Sequence, residues 1–168
     1  MYHAVINNAD HPEYGVATIP FPIPDAEYDH VIEMMENLEI GDPVKEDCLV
    51  CEIEGDFPVL KRMENLLVNL DELDYLAKRL DSFCDTEVAQ FQAMAHKLEI
   101  FKMKDFINLT FCCQQATVIT DFSDLESVGK IHYLHLNGGC APIDEYNQVD
   151  GVETALLLIQ NGSATVTP

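Results

Sequence analysis

Cys48 and Cys51, in Cys48-Leu49-Val50-Cys51, are the first residues whose type and spacing could do chemistry. A structural zinc site needs four ligands in a tetrahedral array, and no second CxxC or HxxxH follows along the chain. A redox pair would open a helix in a βαβ setting. Residues 48–54 read instead as a strand, whose alternation sends the two thiols to opposite faces. Cys84 and the neighbours Cys112-Cys113 lack even that spacing. Of the scattered histidines His3, His11, His30, His96, His132 and His135, only the last two stand close together, at i,i+3 near a helix end. They would grip a metal only with acidic help. No HExxH, GxSxG, P-loop or GxGxxG pattern occurs, and Asn137-Gly138-Gly139 is a turn signal before it is a phosphate cradle. These residues lead us to expect no catalytic centre, no metal and no cofactor.

What the chain has in abundance is carboxylate. Thirty Asp and Glu face nine Lys and Arg, a net charge of −21 on 168 residues, and residues 1–44 hold nine acids without one lysine or arginine. Compact folds repel themselves at such charge, so a surface of this kind is either tolerated or used. A dense array of carboxylates is what the basic groove of a DNA-binding protein attracts. The expectation is a protein that imitates nucleic acid, and neither binds it nor acts on it. With carboxylates everywhere, no single acid–base pair is informative, and substrates bearing phosphate would have to overcome the negative field. Anionic lipid surfaces would repel the chain too. Disorder is not implied, because 48% of residues are apolar and the mean hydropathy is −0.01, whereas disordered acidic tails are poor in such residues.

The start, Met1-Tyr2-His3-Ala4, has no basic leader region, and the longest apolar run, Ala155-Leu156-Leu157-Leu158-Ile159, is too short to span a bilayer. With six cysteines and no leader, a reducing cytoplasm with mostly buried thiols is expected. The charge is uneven along the chain. Residues 1–56 carry 14 acids and one base, 57–104 carry eight acids and seven bases, and 105–168 carry eight acids and one base. We therefore expect an α+β fold, an elongated chain of three small subdomains: an acidic α/β subdomain at 1–56, a helical one at 57–110, and an α/β one at 111–168 that offers a dimer contact.

The elements that would position the carboxylates can be read next. Short strands are expected at 3–6 and 15–19. Pro20, Pro22 and Pro24 hold the chain extended up to Asp25, a good N-cap. Tyr28, Val31, Ile32, Met35 and Leu38 then form one apolar helical stripe that Gly41 ends. Glu27, Asp29, Glu33, Glu36 and Glu39 occupy its other faces, and Asp29, Glu33 and Glu36 stand in one row. A rise of 1.5 Å per residue spaces such a row at about 5 Å, against one charge per roughly 1.7 Å of duplex DNA. One helix cannot match that density, so several acidic rows are needed. The candidate set is Asp25, Glu27, Asp29, Glu33, Glu36, Glu39, Asp42, Glu46 and Asp47, with Asp71, Glu72 and Asp74 on a later helix.

That later helix is capped by Asn69, with acids in its first turn and Lys78 and Arg79 in its last, matching the macrodipole. Leu73, Leu76, Ala77 and Leu80 give its buried stripe. A helix is expected ahead of it at 56–66. Another starts near Asp85 with Val88, Phe91, Ala95 and Leu98 inward, and a short one covers 105–109. Asp74 and Lys78 at i,i+4 illustrate how the basic residues find structural roles, so Lys61/Arg62 and Lys78/Arg79 are not read as a nucleic-acid patch. Towards the end, 117–120 reads as a strand, and Ser123-Asp124-Leu125-Glu126 as a capping box opening a helix to about 134. The runs 155–160 and 163–167 read as strands joined by an Asn161-Gly162 hairpin turn. The chain stops directly after it, and a longer natural tail is expected.

Several stretches resemble the ArdA antirestriction family. Asn69-Leu70-Asp71-Glu72-Leu73-Asp74-Tyr75-Leu76-Ala77-Lys78-Arg79-Leu80 is similar to its central segment, as are Ala89-Gln90-Phe91-Gln92-Ala93 and Lys104-Asp105-Phe106-Ile107-Asn108-Leu109-Thr110. Tyr14-Gly15, Phe21-Pro22-Ile23-Pro24 and Asp121-Phe122-Ser123-Asp124-Leu125-Glu126 extend the similarity over most of the chain. The resemblance implies an elongated, curved molecule of three α/β subdomains, dimeric through its C-terminal region and carried on a mobile element. It also implies a partner: the DNA-binding groove of a type I restriction–modification enzyme, occupied in place of DNA. The other class to weigh is an acidic, non-catalytic adaptor or assembly protein of a mobile element. Carboxylates on one continuous face favour mimicry, and charge spread evenly around the surface favours the adaptor.

Overall fold

Tyr2, Ala4 and Ile6 are buried while His3, Val5 and Asn7 between them are less so, and this period of two builds the first strand, β1 (Tyr2–Asn8). It pairs antiparallel on one side with β2 (Val16–Phe21) and on the other with β3 (Cys48–Gly55), and β3 in turn pairs with the short β4 (Leu67–Val68). The sheet order is β2-β1-β3-β4. The computed structural model describes residues 1–116, 118 and 123–161, in two units, Met1–Ala116 and Thr117–Pro168. Its mixed helices and antiparallel sheet make it an α+β protein.

One face of the sheet carries Tyr2, Ala4, Ile6, Ala17, Ile19, Phe21, Val50 and Ile53 into the core. Register shifts between Val5 and Ile6: Val5 lies opposite Glu52, and Ile6 opposite Val50. Cys51 is the extra residue of this bulge. It leaves Cys51 and Glu52 both exposed and returns Ile53 to the core side.

Over the buried face lie helices from both of the first two expected subdomains. α1 (Tyr28–Leu38) brings Val31, Met35 and Leu38, and α2 (Leu70–Asp81) brings Leu70, Leu73, Leu76, Ala77 and Leu80. α3 (Asp85–Lys97) and α4 (Met103–Leu109) add Phe91, Ala95, Met103, Phe106 and Leu109. Phe91 sits among Phe57, Phe83 and Phe106 with ring centroids 6.1 Å away in each case. The core is one cluster running from Tyr2 to Cys113, so no break falls at 56/57. The Tyr2 hydroxyl donates to the Leu73 carbonyl at 2.9 Å and stitches β1 directly to α2. The later boundary falls after Ala116, six residues beyond the expected 110.

Local chemistry explains where the elements begin and end. A 3-10 turn at Asp25–Glu27 precedes α1. The helix ends at Leu38, before Gly41, because Glu39 already takes the left-handed conformation (φ 56°), and the Ile40 N–H returns to the Met35 carbonyl at 3.1 Å. The helix expected at 56–66 is a 3-10 segment, Pro58–Met63. The chain is taken back there by the sheet: Asn65 N–H donates to the Val50 carbonyl (2.7 Å) and Val50 N–H to the Leu66 carbonyl (3.0 Å). α2 starts as expected, with the Asn69 side chain accepting from Glu72 N–H.

In the second unit α5 (Leu125–Leu136), α6 (Ile143–Gln148) and α7 (Gly151–Gln160) are described. Asp124 rather than Ser123 caps α5, accepting from Ser127 N–H at 3.0 Å. The strand expected at 155–160 is a correction: these residues complete α7. Asp150 caps it, accepting from Glu153 N–H at 2.9 Å, and Asn161 lies at its C-terminal end rather than in a hairpin. α5 and α7 cross at two glycines. A Cβ on Gly129 would stand 1.8 Å from the Gly151 carbonyl oxygen, and one on Gly151 would stand 2.0 Å from that of Glu126. The expected strands at 163–167 and, apart from Val118, at 117–120 lie outside the described residues.

Candidate functional site

The apolar stripe of α1 fixes which way its carboxylates point. With Val31, Met35 and Leu38 in the core, Asp29, Glu33 and Glu36 are exposed, as are Asp25 and Glu27 in the preceding turn and Glu39 at the left-handed cap. The ion pairs among the described residues involve Asp56, Glu13, Asp42, Asp74 and Glu126. The six carboxylates from Asp25 to Glu39 are in none of them. Glu39 does act on a neighbour: its charge is the main reason the Tyr14 phenol is held above its ordinary pKa. Fifteen residues thus carry six solvent-facing carboxylates that are in no ion pair among the described residues. Like charges at i,i+4 cost a few tenths of a kcal/mol each, a cost that stability alone gives no reason to keep.

The loop that follows uses its acids differently. Asp47 accepts from the N–H groups of Gly41 and Asp42, each at 3.0 Å. Asp42 accepts from Val44 N–H at 2.9 Å and lies 3.3 Å from the Lys45 ammonium. The Val44 bond first, and Lys45 after it, hold the Asp42 pKa below the ordinary value. Asn69 clamps the loop by donating to the carbonyls of Asp42 (3.1 Å) and Lys45 (2.9 Å). Asp42 and Asp47 are half-buried and shape the loop, while Glu46 is exposed.

On α2 the expected set divides again. Asp71 is exposed, and Glu72 is half-buried with Oε2 shielded and without a hydrogen-bond partner. Asp74 is buried. It accepts from Ile23 N–H at 2.8 Å and from the Lys78 ammonium at 2.6 Å, which ties the entry to α1 onto α2. Such a carboxylate cannot stand in for a phosphate on the surface. Two acids outside the expected set, Glu52 and Glu54, are exposed on the sheet face turned away from the core, opposite Val5 and His3 of β1. The alternation Glu52-Ile53-Glu54 was their signal.

The two arginines of the middle region are occupied. Arg62 donates to the Ala95 carbonyl at 3.0 Å, with its guanidinium 5.2 Å from the centre of the Phe101 ring. Arg79 donates to the Thr110 carbonyl at 3.3 Å and lies 4.5 Å from the Phe111 ring. Both are half-buried.

The thiols do not meet. Cys48 is fully buried, its pKa pushed up to about 12 by burial and then by the Asp47 charge, while Cys51 is exposed. His132 is half-buried and His135 exposed on the last turns of α5. Among the described residues no group of three or more His, Cys, Asp and Glu side chains is placed to hold a metal ion, and no helix is long and apolar enough to cross a membrane. Compared with known family models, curated proteins and solved structures, the chain matches none of them.

Proposed function

We propose that this chain is a DNA-mimicking antirestriction protein that occupies the DNA-binding groove of a type I restriction–modification enzyme. The observation that carries the reading is the run of six exposed carboxylates from Asp25 to Glu39, free of ion pairs among the described residues. Its role in the complex is electrostatic. Asp29, Glu33 and Glu36 take positions that phosphates take on DNA and meet lysines and arginines of the enzyme, with Asp25, Glu27, Glu39, Glu46 and Asp71 extending the charge. The family resemblance of residues 69–80, 89–93 and 104–110 points the same way and supplies the target class, the dimeric state and the origin on a mobile element. No bond is made or broken: the protein is an inhibitor, not an enzyme, and acts in the cytoplasm where its target meets DNA.

The adaptor reading is kept for one observation. Glu52 and Glu54 lie on the sheet face turned away from the core side against which α1 packs, so negative charge is not confined to one face of the first unit.

Charge neutralisation separates the two. Exposed ion pairs contribute about 0.2–1 kcal/mol each. Asp29→Asn, Glu33→Gln or Glu36→Gln alone should therefore weaken inhibition of cleavage of unmodified DNA by roughly twofold. The triple variant should weaken it roughly tenfold or more. A single change that abolishes inhibition, or a triple variant as potent as the parent, rejects the mechanism.

A further inference from the structure

A groove of about 260 Å³ lies between the start of α1 and the first turns of α2. Its floor is aliphatic, made by Ile23, Leu70 and Ile32, the last left 38% exposed by the α1 stripe. Two phenol rings line it, Tyr28 at 48% and Tyr75 at 45% exposed, so aromatic surface is held in water at the edge of the core. Asp71 and Asp74 face the same space, with Lys78 closing one end. Asp74 is committed to Ile23 N–H and to Lys78. Asp71 is exposed and in no ion pair among the described residues. Asp25 is near enough to reinforce, behind Asp74, the raised pKa of Lys78. With Asp71 and Asp74 against the single ammonium of Lys78, the groove lining keeps a net negative charge.

Apolar floor, aromatic walls and an uncommitted carboxylate together describe the binding needs of one side chain. An arginine lays its methylene stem on aliphatic surface, stacks its planar guanidinium on an aromatic face and forks onto a carboxylate. A lysine ammonium is compact and strongly hydrated and would use only the charge. Phosphate and carboxylate groups are repelled. We propose that the α1–α2 groove is a subsite for an arginine side chain projecting from the surface of a protein partner, stacked on Tyr28 or Tyr75 and paired with Asp71. The subsite goes beyond imitation of DNA, since its stacking and apolar contacts are not screened by salt as phosphate-like contacts are. It does not depend on a restriction enzyme being the partner.

The test uses the full chain, labelled with nitrogen-15, and two probes: N-acetyl-arginine amide and N-acetyl-lysine amide. The arginine probe should give saturable amide shifts confined to Ile23, Tyr28, Ile32 and residues 70–78, and bind at least about threefold more tightly than the lysine probe. Tyr75→Leu keeps the apolar area and removes the ring's electrostatic face, and Asp71→Asn removes the charge. Asp71→Asn should weaken both probes, and Tyr75→Leu combined with Tyr28→Leu should bring arginine down to the level of lysine; all three positions are exposed, so the fold is kept. Equal binding of the two probes, shifts spread over the whole acidic surface, an arginine preference that survives loss of both rings, or binding untouched by Asp71→Asn would overturn the proposal. Failure to inhibit restriction would leave these shifts unchanged, so the two readings fail separately.

Discussion

Asp74 belongs to the acidic set by sequence and to the core by structure, and replacing it tells these roles apart. In Asp74→Ala the buried Ile23 N–H loses the acceptor it has among the described residues, and an unsatisfied buried donor costs about 1–3 kcal/mol. The ion pair with Lys78 adds less. The Lys78 side chain is 58% exposed, and pairs so open to solvent contribute about 0–1 kcal/mol. The expected loss is about 2–3 kcal/mol. Asp74→Asn keeps an oxygen for Ile23 and should cost about 1 kcal/mol or less. Urea unfolding followed by far-ultraviolet circular dichroism reads the difference: with a slope of about 1–3 kcal/mol per molar, the alanine midpoint should fall by roughly 1–2 M. Inhibition by folded Asp74→Asn should equal that of the parent. A loss below about 0.5 kcal/mol for the alanine variant would refute the structural role, as would an asparagine variant as unstable as alanine. Normal stability with weakened inhibition would return Asp74 to the surface set.

Two further predictions concern the fold and its charge. Gly129→Ala drives a methyl group into the backbone of α7, where the Gly151 carbonyl oxygen stands 1.8 Å from the new Cβ position, and such overpacking costs about 1–3 kcal/mol or more. Amide hydrogen exchange should speed up across 125–160 and stay unchanged in 2–113; protection of α5 and α7 equal to the parent's would contradict the crossing. The melting temperature of the free protein should rise by a few degrees between ~10 mM and ~150 mM sodium chloride as the carboxylates are screened from one another. A flat response would mean that the charge is too dispersed to repel itself.

Much of the first unit was legible because single side chains announce its elements. Asn69 with Asp71 and Glu72 after it, and Lys78 and Arg79 in the last turn, mark both ends of α2. The spacing of Val31, Met35 and Leu38 marks the inward face of α1. What failed was decided at longer range or by a weaker cue. Ala155-Leu156-Leu157-Leu158-Ile159 is an apolar run that period alone cannot assign to helix or strand. The deciding residue is Asp150, whose carboxylate caps Glu153 N–H. Residues 58–63 carry helical composition, but pairing of 65 and 66 with Val50 limits them to 3-10 turns.

The site was legible in part for similar reasons. Exposure of Asp29, Glu33 and Glu36 follows from the α1 stripe alone. Asp74 was misplaced although it lies four residues after Leu70 and three before Ala77, inside the buried stripe of its own helix; the partner that makes burial tolerable is Ile23, 51 residues away. Glu52 and Glu54 show the alternation of one strand face around Ile53, but the buried Cys48 and Val50 set the opposite parity until the bulge at Cys51 resets it. The α1–α2 groove combines residues of two elements and has no signature in either.

The proposed competitive occupation would also set an order of importance among the residues. Under that proposal the exposed carboxylates would act by number and position, with no single one indispensable, while Asp47, Asn69 and Asp74 hold the loop and the helices that carry them. Substitutions in the second group should be felt first as lost stability and only then as lost inhibition.

The most direct test of DNA mimicry is a titration of the protein into a type I restriction reaction on unmodified DNA, at two salt concentrations, with and without excess competitor DNA. The account predicts stoichiometric inhibition that weakens as salt rises and is relieved by the competitor. Inhibition indifferent to competitor DNA, or none across several type I enzymes, would contradict it and leave the adaptor reading in its place.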